Sequence, residues 1–436
     1  MAHCLLPLFV FVASPLQGQD QPCRIDIIHV GRQAVRTQVT PETENIFAGG
    51  DIRLRCRGQN VRMWTDSIAW YQGQVLQFIG HFRYEDETAK VTADFGTYIK
   101  TQEKWEARGN VVYLNLHDAS RLEGPYVDYA RKVKGFRELE DVYAEQRPRL
   151  ELPVNDSGRG TDPYIVRADR VRMRGQTLMW AGGTVTIDRS DIRGRGDSLT
   201  LITGKEGVGA LVGHAAMEKM AEDSFSLRGK RIDLTMANRE LTSVTGRDSA
   251  SVVSRDLDLQ AAVVRLRLDA RKVIQTFAWG KAPTPVALTS DYQLRADSLA
   301  VDTPEQVLKE FRSFGHAWVG FRPDTAKGER DWLAGDTIRA EFTTIPGAQG
   351  QKKAVVQKLE ARSGASAFYR VASANAKTTL PSINYSKADR IVLLMTPGDS
   401  VKVDRVEMTG KVYGVQLEPT TIADSLRLRP TPPRRP

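Results

Sequence analysis

Two hydrophobic patterns alternate along the chain. The first is a short phrase in which an apolar stretch is broken by a small residue and Asp, as in LRADSLAV from Leu294, VRADRVRM from Val166 and SKADRIVL from Ser386. The second ends in a glycine flanked by alternating apolar residues, as in VLQFIGHF from Val75, KWEARGNVVYL from Lys104, LMWAGGTVTI from Leu178 and FRSFGHAWV from Phe311. Leu76, Phe78, Gly80, Phe82 and Tyr84 keep strict period-two alternation, as do Trp105, Ala107, Gly109, Val111 and Tyr113. That period belongs to strands with one buried face. Helical spacing fits almost nowhere.

The first phrase changes phase at its centre. Leu294 and Ala296 sit on even positions and Leu299 and Val301 on odd ones; Val166 and Ala168 against Val171 and Met173 repeat the slip. Such a slip in side-chain parity is what a bulge or sharp bend produces, and an Asp placed there offers a carboxylate to the freed backbone donors. Each strand is therefore expected to turn a corner from one sheet to another. The small residue recurs at Thr65, Ala93, Gly124, Ala168, Gly196, Gly229, Ala261, Ala296, Gly335, Ala388 and Ala423, at intervals of 28 to 53 residues. Intervals of this size mark an array of one supersecondary unit, too small to bury its apolar face alone. The expected fold is all-β: an extended antiparallel repeat array forming an open jelly roll, folded over as two facing sheets.

Other segments punctuate the array. Residues 1–19, with the apolar run CLLPLFVFVA from Cys4, read as a secretory signal peptide, because the run is too short to cross a bilayer and sits where an export segment belongs. A β region over 20–152 and a second over 164–428 flank a linker at 153–163, PVNDSGRGTDP, and the Pro/Arg tail at 429–436 cannot form ladder bonds. Gly204 to Phe225 has the Ala and Met content of a short helix, yet Gly213 falls where the hairpin glycine belongs, so strands are expected there.

With 436 residues, 41% of them hydrophobic, the chain can bury a core or a series of small ones. The net charge of +9 is spread along it without a basic block; a modest excess of this kind is more often a solubility feature, it also suits anionic partners such as phosphorylated glycolipids, and it fits nucleic acid least. After export two cysteines, Cys23 and Cys56, remain in an oxidising compartment. They form a disulfide or stay as two thiols; spacing alone does not decide, since a bridge needs a specific Cα separation. His29, His81, His117, His214 and His316 show no metal-ligand spacing, and Gly204-Lys205 lacks the phosphate-loop pattern. The Asp of the first phrase recurs in too many units to be one active site. No catalytic set, metal or cofactor is expected.

Thr65 to Leu152 resembles the OstA-like family of periplasmic lipopolysaccharide-transport proteins. The resemblance is carried by the A-D-x-x-x-Y start at Ala93, the W-x-A-x-G-N-V centre at Trp105 and the L-x-G-x-x-x-x-Y return at Leu122, and its rhythm continues to Leu428. It implies a folded-over antiparallel sheet whose interior holds acyl chains while sugars and phosphates stay outside, and it carries no catalytic residues. In that reading Leu76, Phe78, Phe82, Trp105, Val111 and Tyr113 line the acyl groove. The ligand is lipopolysaccharide or a related glycolipid, and the location is the periplasm or the outer membrane. The partners are homologous jelly-roll components at the inner and outer membranes, or a second copy, joined by strand addition at the edge near Ile25 to Val30. Two rivals remain: a structural or adhesive β-solenoid with a solid interior and one continuous strand direction, and a carbohydrate-processing enzyme on a β-rich scaffold.

Overall fold

The period-two pattern is realised as strands throughout. The computed structural model describes residues 22–154, 162–220, 224–255, 257–289, 291–304, 307–321, 331–346, 352–371, 381–396 and 402–418, and over these it has 28 β-strands, one 3₁₀ turn (Lys100–Gln102) and no α-helix. The expected signal peptide, the last repeat at Ala423, the Pro/Arg tail and most of the expected linker lie outside the described residues. Glu206–Lys219 is a strand, as expected, but Gly213 lies at a bulge in its middle and not in a hairpin turn.

The chain divides into two compact units. The first holds β1 (Ile25–His29), β2 (Gln33–Thr40), β3 (Thr43–Cys56), β4 (Arg62–Tyr71), β5 (Val75–Glu85), β6 (Ala89–Ile99), β7 (Lys104–Asn115), β8 (Arg121–Ala130), β9 (Asp141–Glu145) and β10 (Arg149–Leu152). β11 (Tyr164–Arg167) belongs to the second unit, whereas β12 (Arg170–Arg174) returns to the first. In the first unit β3 to β8 form an antiparallel meander, each strand bonded to the next. At one side β1 and β2 share β3, and at the other β9 and β10 share β8.

The second unit continues with β13 (Leu178–Asp188), β14 (Ile192–Ile202), β15 (Glu206–Lys219), β16 (Phe225–Ala237), β17 (Glu240–Ser254), β18 (Asp258–Asp269), β19 (Lys272–Trp279), β20 (Val286–Leu288), β21 (Tyr292–Arg295) and β22 (Ser298–Asp302). It ends with β23 (Glu310–Phe321), β24 (Trp332–Pro346), β25 (Lys352–Val371), β26 (Ser382–Thr396), β27 (Lys402–Thr409) and β28 (Tyr413–Leu417). β14 to β18 are one meander and β23 to β26 another. Between them the ladder splits: β18 bonds both β19 and β20, and β21 and β22 both bond β23. These pairings are antiparallel, which a solenoid of one continuous strand direction does not produce.

Long strands bend near their middles, several of them at the Asp phrase and their neighbours at a glycine bulge. In β6 the buried residues are Ala89, Val91 and Ala93 before Asp94, and Gly96 and Tyr98 after it, so the parity slips by one there. The opposing β7 keeps its parity but inserts Gly109 and Asn110 at a bulge, and the register skips from Arg108 opposite Phe95 to Val112 opposite Thr92. Both inserted residues have positive φ, +75° and +45°. The same skip recurs at Trp64/Ser67, Arg195/Ser198, Arg228/Arg231, Phe314/Ala317 and Arg362/Ala365. A bulge with two left-handed residues sharpens the local twist and folds the ladder over.

The Asp of one strand closes this corner against the glycine of the next. Gly80, Gly109, Gly213, Gly315 and Gly410 all have positive φ, and a Cβ on any of them would meet the carboxylate of Asp66, Asp94, Asp197, Asp297 or Asp389, respectively. The residue after the glycine then bonds that carboxylate: His81 Nδ1 to Asp66 at 2.7 Å, Asn110 Nδ2 to Asp94 at 2.8 Å, His214 Nδ1 to Asp197 at 3.1 Å and His316 Nδ1 to Asp297 at 2.9 Å. In the last of these corners the Lys411 backbone N–H donates to Asp389. Gly109→Ala is expected to cost about 1–3 kcal/mol, through positive φ and a Cβ placed 2.5 Å from Asp94 Oδ2. In urea unfolding, Gly109→Ala with Asp94→Ala should lose less than the sum of the single variants; simple additivity would remove the carboxylate clash as the cause.

On the outer face of the second unit, charge ladders cross the strands. Glu360 on β25 lies between buried Leu359 and Ala361 and is itself buried beneath cations; Arg390 and Arg362 each donate Nε to its Oε1 at 2.6 Å, and Lys358 stands 3.4 Å from Oε2. The hydrogen bond from Arg390, followed by that from Arg362, holds the carboxyl down from 4.5 to about 2. A depressed carboxylate contributes stability that is present above pH 4.5 and lost as the pH falls toward 2. Glu360→Gln should therefore cost about 1–3 kcal/mol at pH 7, with the wild-type advantage shrinking through that acid window. A constant difference between the two stability–pH curves would refute this pairing.

Candidate functional site

The folded ladder of the first unit has two margins. The turns joining β4 to β5 and β6 to β7 lie along one, and those joining β5 to β6 and β7 to β8 along the other. The bend brings the two halves of each strand face to face, and the inward residues of the alternating pattern meet between them. Tyr84, beyond the bend in β5, packs on Trp105, before the bend in β7, with ring centroids 4.9 Å apart. Tyr98 lies 4.6 Å from Trp105, Tyr113 is 5.7 Å from Tyr129, and Phe78 is 4.5 Å from Phe82.

Leu76, Phe78, Phe82, Trp105, Val111 and Tyr113 are all buried in this interior, none more than 2% exposed. Lys104, adjacent to Trp105, points the other way and pairs with Glu106 and Asp128. Tyr84, Tyr98 and Tyr129 complete the aromatic lining, and the sequence reading did not place them in it. Rings in mutual contact pack between the leaves. The Trp105 indole N–H is buried and has no hydrogen-bond acceptor among the described residues, an unusual state for a polar group inside a protein.

Polar groups join the margins. Asp86, in the turn between β5 and β6, accepts from Tyr84 Oη at 2.6 Å and from Tyr129 Oη, near the opposite margin, at 3.0 Å; its other oxygen takes the N–H groups of Thr88 and Ala89 at 2.7 Å each. Burial pushes both phenols well above their ordinary value. Glu103 closes the turn after the 3₁₀ residues with φ +46°. Its carboxylate accepts the Cys23 N–H at 3.1 and 3.2 Å and Tyr98 Oη at 2.9 Å, and Arg131 stands 3.7 Å away. Arg131 also donates to Gln59 Oε1 at 2.7 Å, reaching the turn between β3 and β4. Cys23 and Cys56 form a disulfide, both buried, with Cα atoms 5.1 Å apart.

The interior of the second unit is mainly aliphatic, with Leu199, Leu211, Leu227, Ile232, Val244 and Val264 buried. Towards its C-terminal strands it becomes aromatic, where Trp332, Phe368 and Ile383 pack with Trp318 and Tyr385. A buried arginine again sits where margins meet. Arg189, between β13 and β14, donates to Asp191 at 2.7 Å, Tyr164 Oη at 2.8 Å and Glu240 at 2.9 Å. Arg271, between β18 and β19, bonds Asp162 at 3.1 Å and Glu240 at 2.9 Å.

No family model and no curated protein sequence matches the chain. Among solved structures it is similar to that of LptH from Pseudomonas aeruginosa, the periplasmic component homologous to LptA in a conserved lipopolysaccharide transport device. The identity is 20% over 28% of this chain and 85% of that one, with a TM-score of 0.24.

Proposed function

We propose that the chain is a non-enzymatic lipid-binding protein of the cell envelope, carrying lipopolysaccharide or a related glycolipid towards the outer membrane with its acyl chains between the folded leaves. The observation that carries this reading is the interior of each unit: an apolar lining, walled by ladders that bend repeatedly at the same point and meet along a line of turns rather than along strands. A sheet folded in this way can part at its margins without breaking a ladder bond. The orphan Trp105 N–H supports the reading further, since an ester or hydroxyl oxygen of an acyl chain would complete it. The motifs of Thr65 to Leu152 point to the same class.

Native mass spectrometry of protein purified from cells should find co-purifying glycolipid. Photo-crosslinkers at positions 78 and 105 should capture it, while one at 104, on the outward face, should not. Capture at 104 alone would reverse the assigned faces, and an absence of lipid in both measurements would favour a structural protein with a solid interior.

The partner reading rests on the N-terminal edge. Every residue of β2 is exposed, with Val35 and Val39 at 45% each, and Ile28 of β1 is 54% exposed. An exposed edge of this kind, with Val35, Val39 and Ile28 on its surface, invites a strand from a homologous component or a second copy. Cysteine crosslinking from positions 26 and 28 in cells tests it; monomer alone, in functional protein, would leave a stand-alone carrier.

A further inference from the structure

Most ion pairs among the described residues lie along or across neighbouring strands on outer faces, where the solvent-exposed ones are screened and contribute little. Two clusters instead join segments far apart in the chain. In the first unit, Glu103, Arg131, Gln59 and the Cys23 N–H bring together groups 72 and 80 residues apart, with the Arg131 and Glu103 side chains only 5% and 6% exposed. In the second, Arg189, 2% exposed, reaches Glu240 over a separation of 51 residues, and Arg271 reaches Asp162 over 109. Each cluster contains a buried guanidinium, and each joins turns from opposite margins of one folded ladder.

We propose that these clusters are latches, which hold the margins of each folded sheet together and gate the entry of acyl chains into its interior. The inference rests on the lipid-binding reading and adds the way in. A buried ion pair holds a structure no better than apolar packing of the same volume. It differs in what happens on opening: charged groups are hydrated at once, whereas an apolar seam would expose its surface to water. A seam closed by charge is therefore firm while dry and parts readily once water reaches it. The packed rings around Trp105 require such a seam, because no acyl chain enters that interior unless the leaves separate.

Arg131→Gln and Glu240→Gln test the two latches separately, in the full chain. Two readouts apply: hydrogen–deuterium exchange of the Cys23 amide and residues 100–103 in the first unit or 189–191 in the second, and the rate of uptake of 11-(dansylamino)undecanoic acid. Exchange at the margins should accelerate about tenfold, as expected for a locally opened seam. Probe uptake should quicken about fivefold at unchanged saturation, with the circular dichroism unaltered. Wild-type exchange in both folded variants would overturn the latches. Faster exchange with no probe bound by any form, wild type included, would instead overturn the lipid-binding reading and with it the gating role. Should Arg131→Gln fail to fold, Glu240→Gln, at a carboxylate 35% exposed, decides the matter by the same two measurements.

Discussion

Trp105→Ala should lower the stability of the first unit by about 3–5 kcal/mol, the range for truncating a large buried aromatic side chain. Trp105 is the centre of its interior: Tyr84, Tyr98 and Tyr129 all have ring centroids within 6.3 Å of it, contributed from β5, β6 and β8. Its removal leaves a cavity bounded by strands on both sides of the bend, and the corners fix the angle at which those strands meet, so the walls cannot collapse into the space. The orphan indole N–H offsets part of the loss, since Ala carries no unsatisfied donor. Urea unfolding followed by circular dichroism measures the change, and a loss below about 2 kcal/mol would mean that the leaves close over the gap. Tyr113→Ala, with its ring 5.7 Å from Tyr129, should cost less than Trp105→Ala.

The second large effect is expected from the Cys23–Cys56 bridge. It closes a loop spanning a sequence separation of 33, for which the loss of unfolded-state entropy corresponds to about 3–4 kcal/mol. The bridge fixes the start of β1 beside the end of β3, and it holds the Cys23 amide where Glu103 accepts it. Cys23→Ala with Cys56→Ala should therefore shift the unfolding midpoint of the first unit as far as reduction of the wild type does, and reduction should leave the variant unchanged. Equal midpoints for oxidised and reduced wild type would show that the bridge restrains nothing in the unfolded chain.

The all-β class was legible because its cause is local. Alternation at Leu76 to Tyr84 and Trp105 to Tyr113 requires only that one face be dry, and the phase slip at Asp94 records the bend in the order of residues itself. The assignment of Asp to backbone capping was incomplete. His81, His214 and His316, which show no metal-ligand spacing, are the side-chain partners of Asp66, Asp197 and Asp297. The signal was present: in FIGHF, VGHAA and FGHAW a histidine follows the bulge glycine directly. Only the hairpin register places it beside an Asp 15 to 19 residues earlier. The seam left no local trace at all. Glu103, Arg131 and Arg189 stand in turns with ordinary polar sequences, and their partners are set by how the ladder folds over, which no short-range pattern encodes.

The corner has a bearing on how such a chain lengthens. Its parts are divided between neighbours: one strand supplies the acid, and the next supplies the left-handed pair that receives it. A hairpin therefore carries everything its own bend needs. If a hairpin is duplicated, the new copy can bend in step with the old ones, with no compensating change elsewhere. Irregular spacing between copies is taken up partly by extra or longer strands, as with β9 and β10 between Gly124 and Ala168 and the 20-residue β25 between Gly335 and Ala388. Growth by tandem copying is thus structurally neutral in this architecture, and an array can gain or lose one hairpin at a time without disturbing the bends of the others.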